Sequence, residues 1–210
     1  MASEMSTDAD DGSRGTASLL KDLLKKNVHI VRPGDEDWVD LVTPYNTRLP
    51  YTPAVIVVPR TEQQISDAVL CAARSGVKVQ ARSGGHSYGS FSTGGRDGAM
   101  VVDLRCFQDV SVDELGIAKV GAGGRLGNIA FALSTQWRAL PHGTCPAVGV
   151  GGHATHGGFG MASRAWGLMM DHIVALDVVL ADGSCVRASE KERGDIYFVS
   201  APSHARVAMY

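Results

Sequence analysis

The stretch ARSGGHSYGSFSTGG, residues 81–95, decides the fold class. It follows a short apolar strand pattern at 54–58, a helix pattern at 61–76 and a second strand pattern, VKVQA, at 77–81. Thr61 and Gln64 form a capping-box signature for the start of that helix, and Gly76 is typical of its C-terminal cap. A strand, a helix and a strand in this order form a crossover unit, so we expect the two strands to be parallel. The glycines that follow predict a loop whose backbone N–H groups can approach a phosphate.

A second glycine-rich segment, PHGTCPAVGVGGHATHGGFG, spans residues 141–160 and contains Cys145. Neither segment is a phosphate-binding Walker loop, because no Gly-Lys-Ser/Thr follows. Neither is a GxGxxG motif that opens a helix behind the first strand. Taken alone, each loop is therefore compatible with a purely structural role as well as with ligand binding.

The remaining segments predict an α+β fold with two subdomains. A small N-terminal subdomain contains the βαβ unit, and a larger one with mixed and antiparallel pairing follows a break near residue 103. Short strands are expected at 99–104, 110–114 and 117–123, a helix at 125–136, and a hairpin at 173–189 that turns at Asp182-Gly183. Residues 1–16 are expected to be a disordered lead-in, 17–49 a helical extension with a leucine stripe, and 50–210 the main domain.

Composition excludes several classes of function. The chain has 210 residues, 44% of them hydrophobic, and a formal net charge of −2 without a basic face, which disfavours nucleic acid and membrane surfaces as partners. The N-terminus shows no secretion signal, so the sequence as written indicates a cytoplasmic protein.

The four cysteines form no CxxC pair, and Cys71 is expected to be a small buried hydrophobe. The histidines lack the helical pairing and nearby carboxylates of zinc enzymes, so no metal site is predicted.

The order of the motifs is more specific than any one of them. RSGGHSY at 82–88 is followed by PHGTCP at 141–146, GVGGH at 149–153, GGFG at 157–160 and WGL at 166–168 with DHIV at 171–174. This succession resembles the FAD-binding PCMH-type domain of the vanillyl-alcohol oxidase superfamily. It is most similar to the berberine-bridge-enzyme-like and glucooligosaccharide-oxidase-like flavoproteins, over roughly residues 50–190.

The resemblance implies a cofactor and a set of residues that hold it. His86 would bond covalently to the flavin 8α-methyl group, and Cys145 to flavin C6 in bicovalent members. Tyr88 would lie near the flavin ring and support the tether or touch substrate. Backbone amides of the first loop would surround the pyrophosphate, and residues of the second half would line the flavin and the adenine. The resemblance assigns cofactor binding to Arg82, Ser83, Gly84, Gly85, His86, Ser87, Tyr88, Cys145, Gly151, Gly152, Gly158, Ile173 and Val174.

The implied reaction is the oxidation of an alcohol or a carbohydrate lactol, with O₂ as the electron acceptor. Resembling proteins continue into a glycine-rich stretch and a substrate domain, whereas here Asp195-Ile196-Tyr197-Phe198 is followed by VSAPSHARVAMY. The sequence therefore resembles an N-terminal fragment that lacks the expected catalytic base, and compartment is left open because relatives are often secreted. Two alternatives remain open: a flavin-binding module without turnover, and a phosphate-binding domain that does not use flavin.

Overall fold

The computed structural model describes residues 5–200 and 208–209, with side chains from residue 14 to residue 200. A four-stranded sheet forms the first half: β1 (His29–Val31), β2 (Val55–Val58), β3 (Val79–Arg82) and β4 (Met100–Asp103). The strand order is β1-β2-β4-β3, with β2 and β3 both parallel to β4. The predicted parallel direction of β2 and β3 is therefore confirmed, but β4 lies between them. Every residue of β2 and β4 is buried, which is typical of central parallel strands.

Helix α3 (Glu62–Arg74) crosses from β2 to β3 and begins as predicted. The Thr61 side chain accepts from the Gln64 N–H at 3.2 Å. The Gln64 side chain accepts from the Arg60 N–H at 2.7 Å, one residue before the position expected in a capping box. Gly76 follows the helix with a φ of +67°, a conformation that a Cβ disfavours.

The N-terminal region differs from the sequence-based expectation. Helix α1 (Met5–Leu24) includes residues 5–16, which were predicted to be disordered, and residues 1–4 lie outside the described part of the chain. Leu19 and Leu23 of α1 are fully buried against α3, and this packing stabilises the C-terminal part of the helix. Residues 5–16 only lengthen a helix that already exists, so they do not need a new nucleus. The predicted helical extension 17–49 is also wrong in part, because β1 pairs with β2 and covers that edge of the sheet. Helix α2 (Trp38–Val42) follows β1.

The second half combines small antiparallel pairs with short helices, which confirms the α+β prediction. Strands β5 (Val110–Val112) and β6 (Ala118–Val120) form one pair, and β7 (Leu176–Val179) with β8 (Cys185–Ala188) form the predicted hairpin. Gly183 in its turn has a φ of +78°. Strand β9 (Ala208–Met209) pairs with the other side of β7. The helices of this half are α4 (Leu126–Ser134), α5 (Val150–Ala154), α6 (Ser163–Trp166) and α7 (Gly194–Ser200), with a 3₁₀ turn at Met169–His172. Another 3₁₀ turn, at Phe91–Thr93, lies between β3 and β4 in the first half.

Helix α4 organises a second hydrophobic core. Leu126, Ile129 and Leu133 are buried there with residues of α5 and of the turn after α6. The start of α4 and the start of α5 are therefore fixed side by side, and both are close to the carboxyl ends of β3 and β4. In doubly wound sheets this end of the parallel strands is where ligands bind. Within the described residues, no helix is long and apolar enough to cross a membrane.

Candidate functional site

A buried ion pair fixes the point where β3 ends and the first glycine-rich loop begins. The Arg82 Nε donates to Asp103 Oδ2 at 2.8 Å, and a second guanidinium nitrogen donates to the same oxygen. Arg82 also donates to the Leu41 carbonyl, and Arg105 donates to Asp103 at 2.9 Å. Burial alone would raise the pKa of Asp103, but the hydrogen bond from Arg105 and the charge of Arg82 outweigh it and hold this pKa below its usual range. Asp103 therefore stays ionised and locks the two strand ends together.

The first loop presents a run of backbone donors. Among the described residues, the N–H groups of Gly84, Gly85, His86 and Ser87 have no hydrogen-bond acceptor within the protein. The loop keeps its shape by other bonds: the Ser92 hydroxyl donates to the Gly85 carbonyl at 3.3 Å, and the Ser87 hydroxyl accepts from the Phe91 N–H at 3.2 Å. Consecutive amides of this kind form a concave anion-binding surface. This is the donor set that a pyrophosphate needs.

The two glycine-rich loops touch each other through their backbones. A Cβ added at Gly84 would lie 2.2 Å from the Gly149 nitrogen, and one added at Gly149 would lie 2.1 Å from the Gly84 nitrogen. The Ser83 hydroxyl adds to this contact, because it donates to the Ala122 carbonyl and accepts from the Gly151 N–H at 3.2 Å. Glycine is required at these two positions because the backbones come too close for any side chain.

Arg125, at the start of α4, reaches across the junction of the two loops. Its Nη1 amino group donates to the Gly84 carbonyl and to the Ala147 carbonyl, the latter at 2.9 Å. Burial is the largest cause that lowers the pKa of Arg125, and the charges of Arg105 and Arg82 act in the same direction. No sequence motif marked this residue, because a single arginine before a helix carries no recognisable pattern.

Two neighbouring hollows lie at this junction. An open cleft of about 460 Å³ lies between His86 of the first loop and Pro146 and Ala147 of the second, and a smaller hollow of about 240 Å³ shares part of its wall. His86, Gly84 and Arg125 line both hollows. The opposite wall of the cleft is formed by Pro146 and Ala147, which directly follow Cys145, and by residues of α4. The smaller hollow is also lined by Arg82, Arg105, Asp40 and Asp103.

His86 is held by an aromatic neighbour that no motif in the sequence indicates. The ring of Tyr45 stacks on the imidazole with centroids 4.5 Å apart and an interplanar angle of 29°, and its centroid lies 5.6 Å from that of Tyr88. Asn46 donates to the Tyr88 carbonyl at 2.7 Å, which ties the Tyr45 segment to the first loop. Burial first, and then the charge of Arg125, lowers the pKa of His86. His86 is therefore neutral at neutral pH, the form in which an imidazole nitrogen is a nucleophile.

The loop that carries Cys145 is also held at both ends. At its start, the Gly143 N–H donates to His153 Nε2 at 2.9 Å. Burial, followed by the charge of His142, lowers the pKa of His153, so its Nε2 is available as an acceptor. At its end, the Gly127 N–H donates to the Pro146 carbonyl at 3.0 Å. Between these anchors Cys145 is exposed, and the next residue, Pro146, lines the cleft.

Only some of the residues predicted to bind the cofactor line the two hollows. Ser83, Gly84, Gly85 and His86 line the smaller hollow together. Arg82 lines it as well. Its guanidinium donates to Asp103 and to the Leu41 carbonyl, and these bonds fix the end of β3. The other predicted residues lie outside the linings of the two hollows; they are Ser87, Tyr88, Cys145, Gly151, Gly152, Gly158, Ile173 and Val174.

Several of those residues have clear local roles. The Gly158 carbonyl accepts from the Met169 N–H at 3.1 Å, and a Cβ there would lie 3.3 Å from the His153 ring. Ile173 packs beside the second core, and its carbonyl accepts from the Tyr197 hydroxyl. Tyr88 and Val174 are more than half exposed, and a Cβ at Gly152 would meet open space. Cofactor contact at these positions stays a prediction.

The cysteines and histidines form no further site in the described part of the chain. Cys71 is buried, as predicted, and the other three cysteines are exposed and unbridged. Burial raises the pKa of Cys71, which suits a packed and unreactive thiol. Between residues 14 and 200, no group of three or more His, Cys, Asp or Glu side chains is arranged to hold a metal ion.

Comparison with known proteins places this geometry among flavoproteins. The sequence profile of the FAD binding domain family matches residues 53–189. Xylooligosaccharide oxidase of Thermothelomyces thermophilus is 49% identical over 184 residues, which is 87% of this chain and 37% of that protein. Chitooligosaccharide oxidase of Gibberella zeae is 46% identical over 79% of this chain and 34% of that protein. The chain thus spans little more than a third of the length of these curated relatives.

Solved structures agree with the sequence relatives. Xylooligosaccharide oxidase from Myceliophthora thermophila C1 in complex with xylobiose has a TM-score of 0.86 and 47% identity, over 89% of this chain and 40% of that chain. Glucooligosaccharide oxidase from Acremonium strictum, which has a 6-S-cysteinyl, 8α-N1-histidyl FAD, has a TM-score of 0.84 and 41% identity, over 88% of this chain and 39% of that chain. The range matched by the profile includes the two loops and the residues that line the cleft between them. The chain belongs to the FAD binding domain family and has the FAD-binding PCMH-type fold.

Proposed function

We propose that this chain is the cofactor-carrying part of an FAD-dependent oxidoreductase, with FAD attached covalently at His86 and at Cys145. One observation carries the proposal: a single cleft has His86 on one wall and the residues after Cys145 on the other. A flavin ring that enters this cleft would lie against His86 and next to the loop that carries Cys145. The 6-S-cysteinyl, 8α-N1-histidyl FAD of the Acremonium strictum oxidase supports this assignment.

The residues at the cleft fit the cofactor. The four amides from Gly84 to Ser87 and the Arg125 guanidinium supply donors and positive charge for the pyrophosphate, without a lysine or a metal ion. The Tyr45 ring fixes the plane of the imidazole, and the lowered pKa keeps His86 unprotonated for bond formation. When bound, the flavin supplies a two-electron acceptor, and substitution at its ring edge raises its potential towards poor reductants such as alcohols.

The substrate class we propose is a carbohydrate that is oxidised at a CH–OH group, with O₂ as the final electron acceptor. The relatives named as oligosaccharide oxidases support this choice. The cleft is open, as a cofactor ring needs if one face is to stay accessible to a sugar. Tyr88, exposed in the first loop two residues after His86, is the residue of this chain that we propose to support the tether or to touch that sugar.

The test of attachment uses the 210-residue chain expressed with FAD and precipitated in trichloroacetic acid. We expect the yellow colour to stay with the pellet, and peptide mapping to find one flavin joined to the peptides that contain His86 and Cys145. The variant Cys145→Ser is expected to keep the flavin on the His86 peptide alone. Colour that leaves entirely with the supernatant would refute covalent attachment.

A second measurement separates an oxidase from a flavin carrier without turnover. The loaded chain is mixed anaerobically with xylobiose, and the flavin absorbance is followed. Bleaching is expected if the described residues suffice for hydride transfer. A spectrum that does not change with xylobiose or with a chitooligosaccharide would favour the carrier role for this chain.

A further inference from the structure

We propose that Arg125 is a positioning residue that sets the separation of the two flavin-tethering loops, so that one flavin ring can reach both His86 and Cys145. The inference rests on the covalent attachment proposed above. It adds a residue that neither glycine-rich motif contains. It also explains how two loops from different parts of the fold are held at one spacing.

The Arg125 side chain bonds one carbonyl group from each of the two loops. One nitrogen of the guanidinium, Nη1, donates to the Gly84 carbonyl, and Gly84 lies two residues before His86. The same nitrogen donates at 2.9 Å to the Ala147 carbonyl, and Ala147 lies two residues after Cys145. Each of its two hydrogens thus holds a different loop. A shift of one loop relative to the other must break one of these bonds.

The backbone of Arg125 is itself fixed to the second loop. Arg125 forms a β-bridge with Gly149, and the next residue, Leu126, donates to the Val148 carbonyl at 2.9 Å. The Arg125 carbonyl accepts from the Ile129 N–H at 3.0 Å in the first turn of α4, and Ile129 is buried in the second core. The side chain therefore starts from a rigid position and ends on two loop carbonyls. Rigid supports of this kind hold reactive groups more precisely than mobile loops do.

The charge of Arg125 is not used in an ion pair within the described residues. Its guanidinium has no carboxylate within 4 Å there, although it is partly buried and faces the cleft. Two carbonyl acceptors satisfy hydrogens but do not neutralise the charge. The positive charge of Arg125 is therefore available to an anion in the cleft, while its two hydrogen bonds fix the distance between the loops.

The chemistry depends strongly on this spacing. Each attachment would replace one C–H bond of the cofactor and the N–H bond of His86 or the S–H bond of Cys145 by one C–N or C–S bond, and the two electrons and two protons released would reduce one O₂ to H₂O₂. The second bond forms between groups that the first bond has already brought together. A misplacement of about 1 Å can slow a reaction between held groups by roughly 100-fold. Loss of the bridge should therefore affect the second bond more than the first.

The experiment compares Arg125→Met, which keeps an unbranched side chain but removes the charge and every N–H donor, with Arg125→Lys, which keeps the charge and N–H donors. Arg60→Ala, at an exposed position before α3, is the control for loss of one positive charge. After incubation with FAD and O₂, peptide mapping measures the fraction of flavin joined to both peptides and the fraction joined to one. We expect R125M to lower the doubly joined fraction at least about 10-fold, R125K to restore most of it, and R60A to match the unmodified sequence.

Hydrogen exchange of the chain without cofactor provides a readout that does not need flavin. We expect faster exchange in the peptide covering 141–151 of R125M, where the Gly143, Val148 and Gly151 N–H groups are hydrogen-bonded, and unchanged exchange in α3. Equal doubly joined fractions in R125M and the unmodified chain would overturn the inference and leave the proposed function intact. If the unmodified chain takes up no flavin, the proposed function fails. In that case, unchanged exchange in R125M overturns the bridging role, and faster exchange confined to the second loop supports it.

Discussion

Substitution of Gly84 by alanine tests the contact between the two glycine-rich loops. A methyl group at this position would lie 2.2 Å from the Gly149 nitrogen and 2.7 Å from its Cα atom and from the Arg125 Nη1. Backbone atoms cannot rotate away as a flexible side chain can, so the two loops must separate by about 1 Å to reach an ordinary contact near 3.4 Å. Overpacking of this kind costs about 1–3 kcal/mol of unfolding free energy.

Two assays measure the effect. In a chain of this size each kcal/mol lowers the melting temperature by roughly 2–4 °C, so we expect the Tm of Gly84→Ala to fall by a few degrees. The loop displacement should also slow joining of one flavin to both His86 and Cys145 by up to roughly 100-fold. Circular dichroism reports the first quantity, and peptide mapping after timed incubation with FAD reports the second.

A matched control adds the same methyl group where there is space for it. Gly194 is the first residue of α7, its φ is not positive, and the nearest atom to an added Cβ is 4.0 Å away. Gly194→Ala is therefore expected to leave both quantities unchanged or to stabilise the helix slightly. If Gly84→Ala melts and acquires flavin like Gly194→Ala, the inferred loop contact is wrong.

Three further predictions concern the groups around the first loop. Asp103→Asn removes the partner of a buried guanidinium, so we expect a loss of about 3–5 kcal/mol in unfolding free energy, measured by urea denaturation. The stability contributed by Asp103 should be complete above its unfolded-state pKa of about 4, and it should be lost as the pH falls through the lower native pKa, because protonation of this carboxylate favours unfolding. Melting temperatures measured at a series of acid pH values test this, and the same pH dependence in Asp103→Asn and the unmodified chain would contradict it. Tyr45→Ala removes the ring stacked on His86, so attachment at His86 should slow while attachment in Tyr45→Phe stays close to normal, and equal rates in both variants would show that the stacking plays no part.

Much of the fold could be predicted because local signals and tertiary structure agree. The Thr61 cap, the Gly76 terminator and the Asp182-Gly183 turn are each short-range patterns with a direct physical cause, and each is found where expected. Strand β1 was missed because three residues carry no periodicity and are extended only through pairing with β2. Helix α5 was missed because glycine disfavours helices, and its helical state depends on packing against α4.

The site divides in the same way. The two motifs drew attention to His86 and Cys145, because runs of glycine around one reactive side chain are visible in the sequence. Tyr45, Arg105 and Arg125 have no such context, and only the folded chain brings them to the loops. Arg82 lies in the RSGGH motif, and cofactor contact there stays a prediction. The partner of its guanidinium, Asp103, is 21 residues away in the sequence and could not be found from the motif.

Because β4 lies between β2 and β3, the order in which the chain is synthesised limits when the first loop can become ordered. Strands β2 and β3 emerge first but do not pair with each other, so the sheet can close only after residues 100–103 have emerged and inserted between them. The same residues bring Asp103 to Arg82, which completes the base of the loop. A nascent chain that ends before β4 would therefore leave the His86 segment without its support and two strands with open hydrogen-bonding edges, a state that favours aggregation or chaperone binding. Cofactor loading is thus expected to be a late step, after the second glycine-rich loop has also been made.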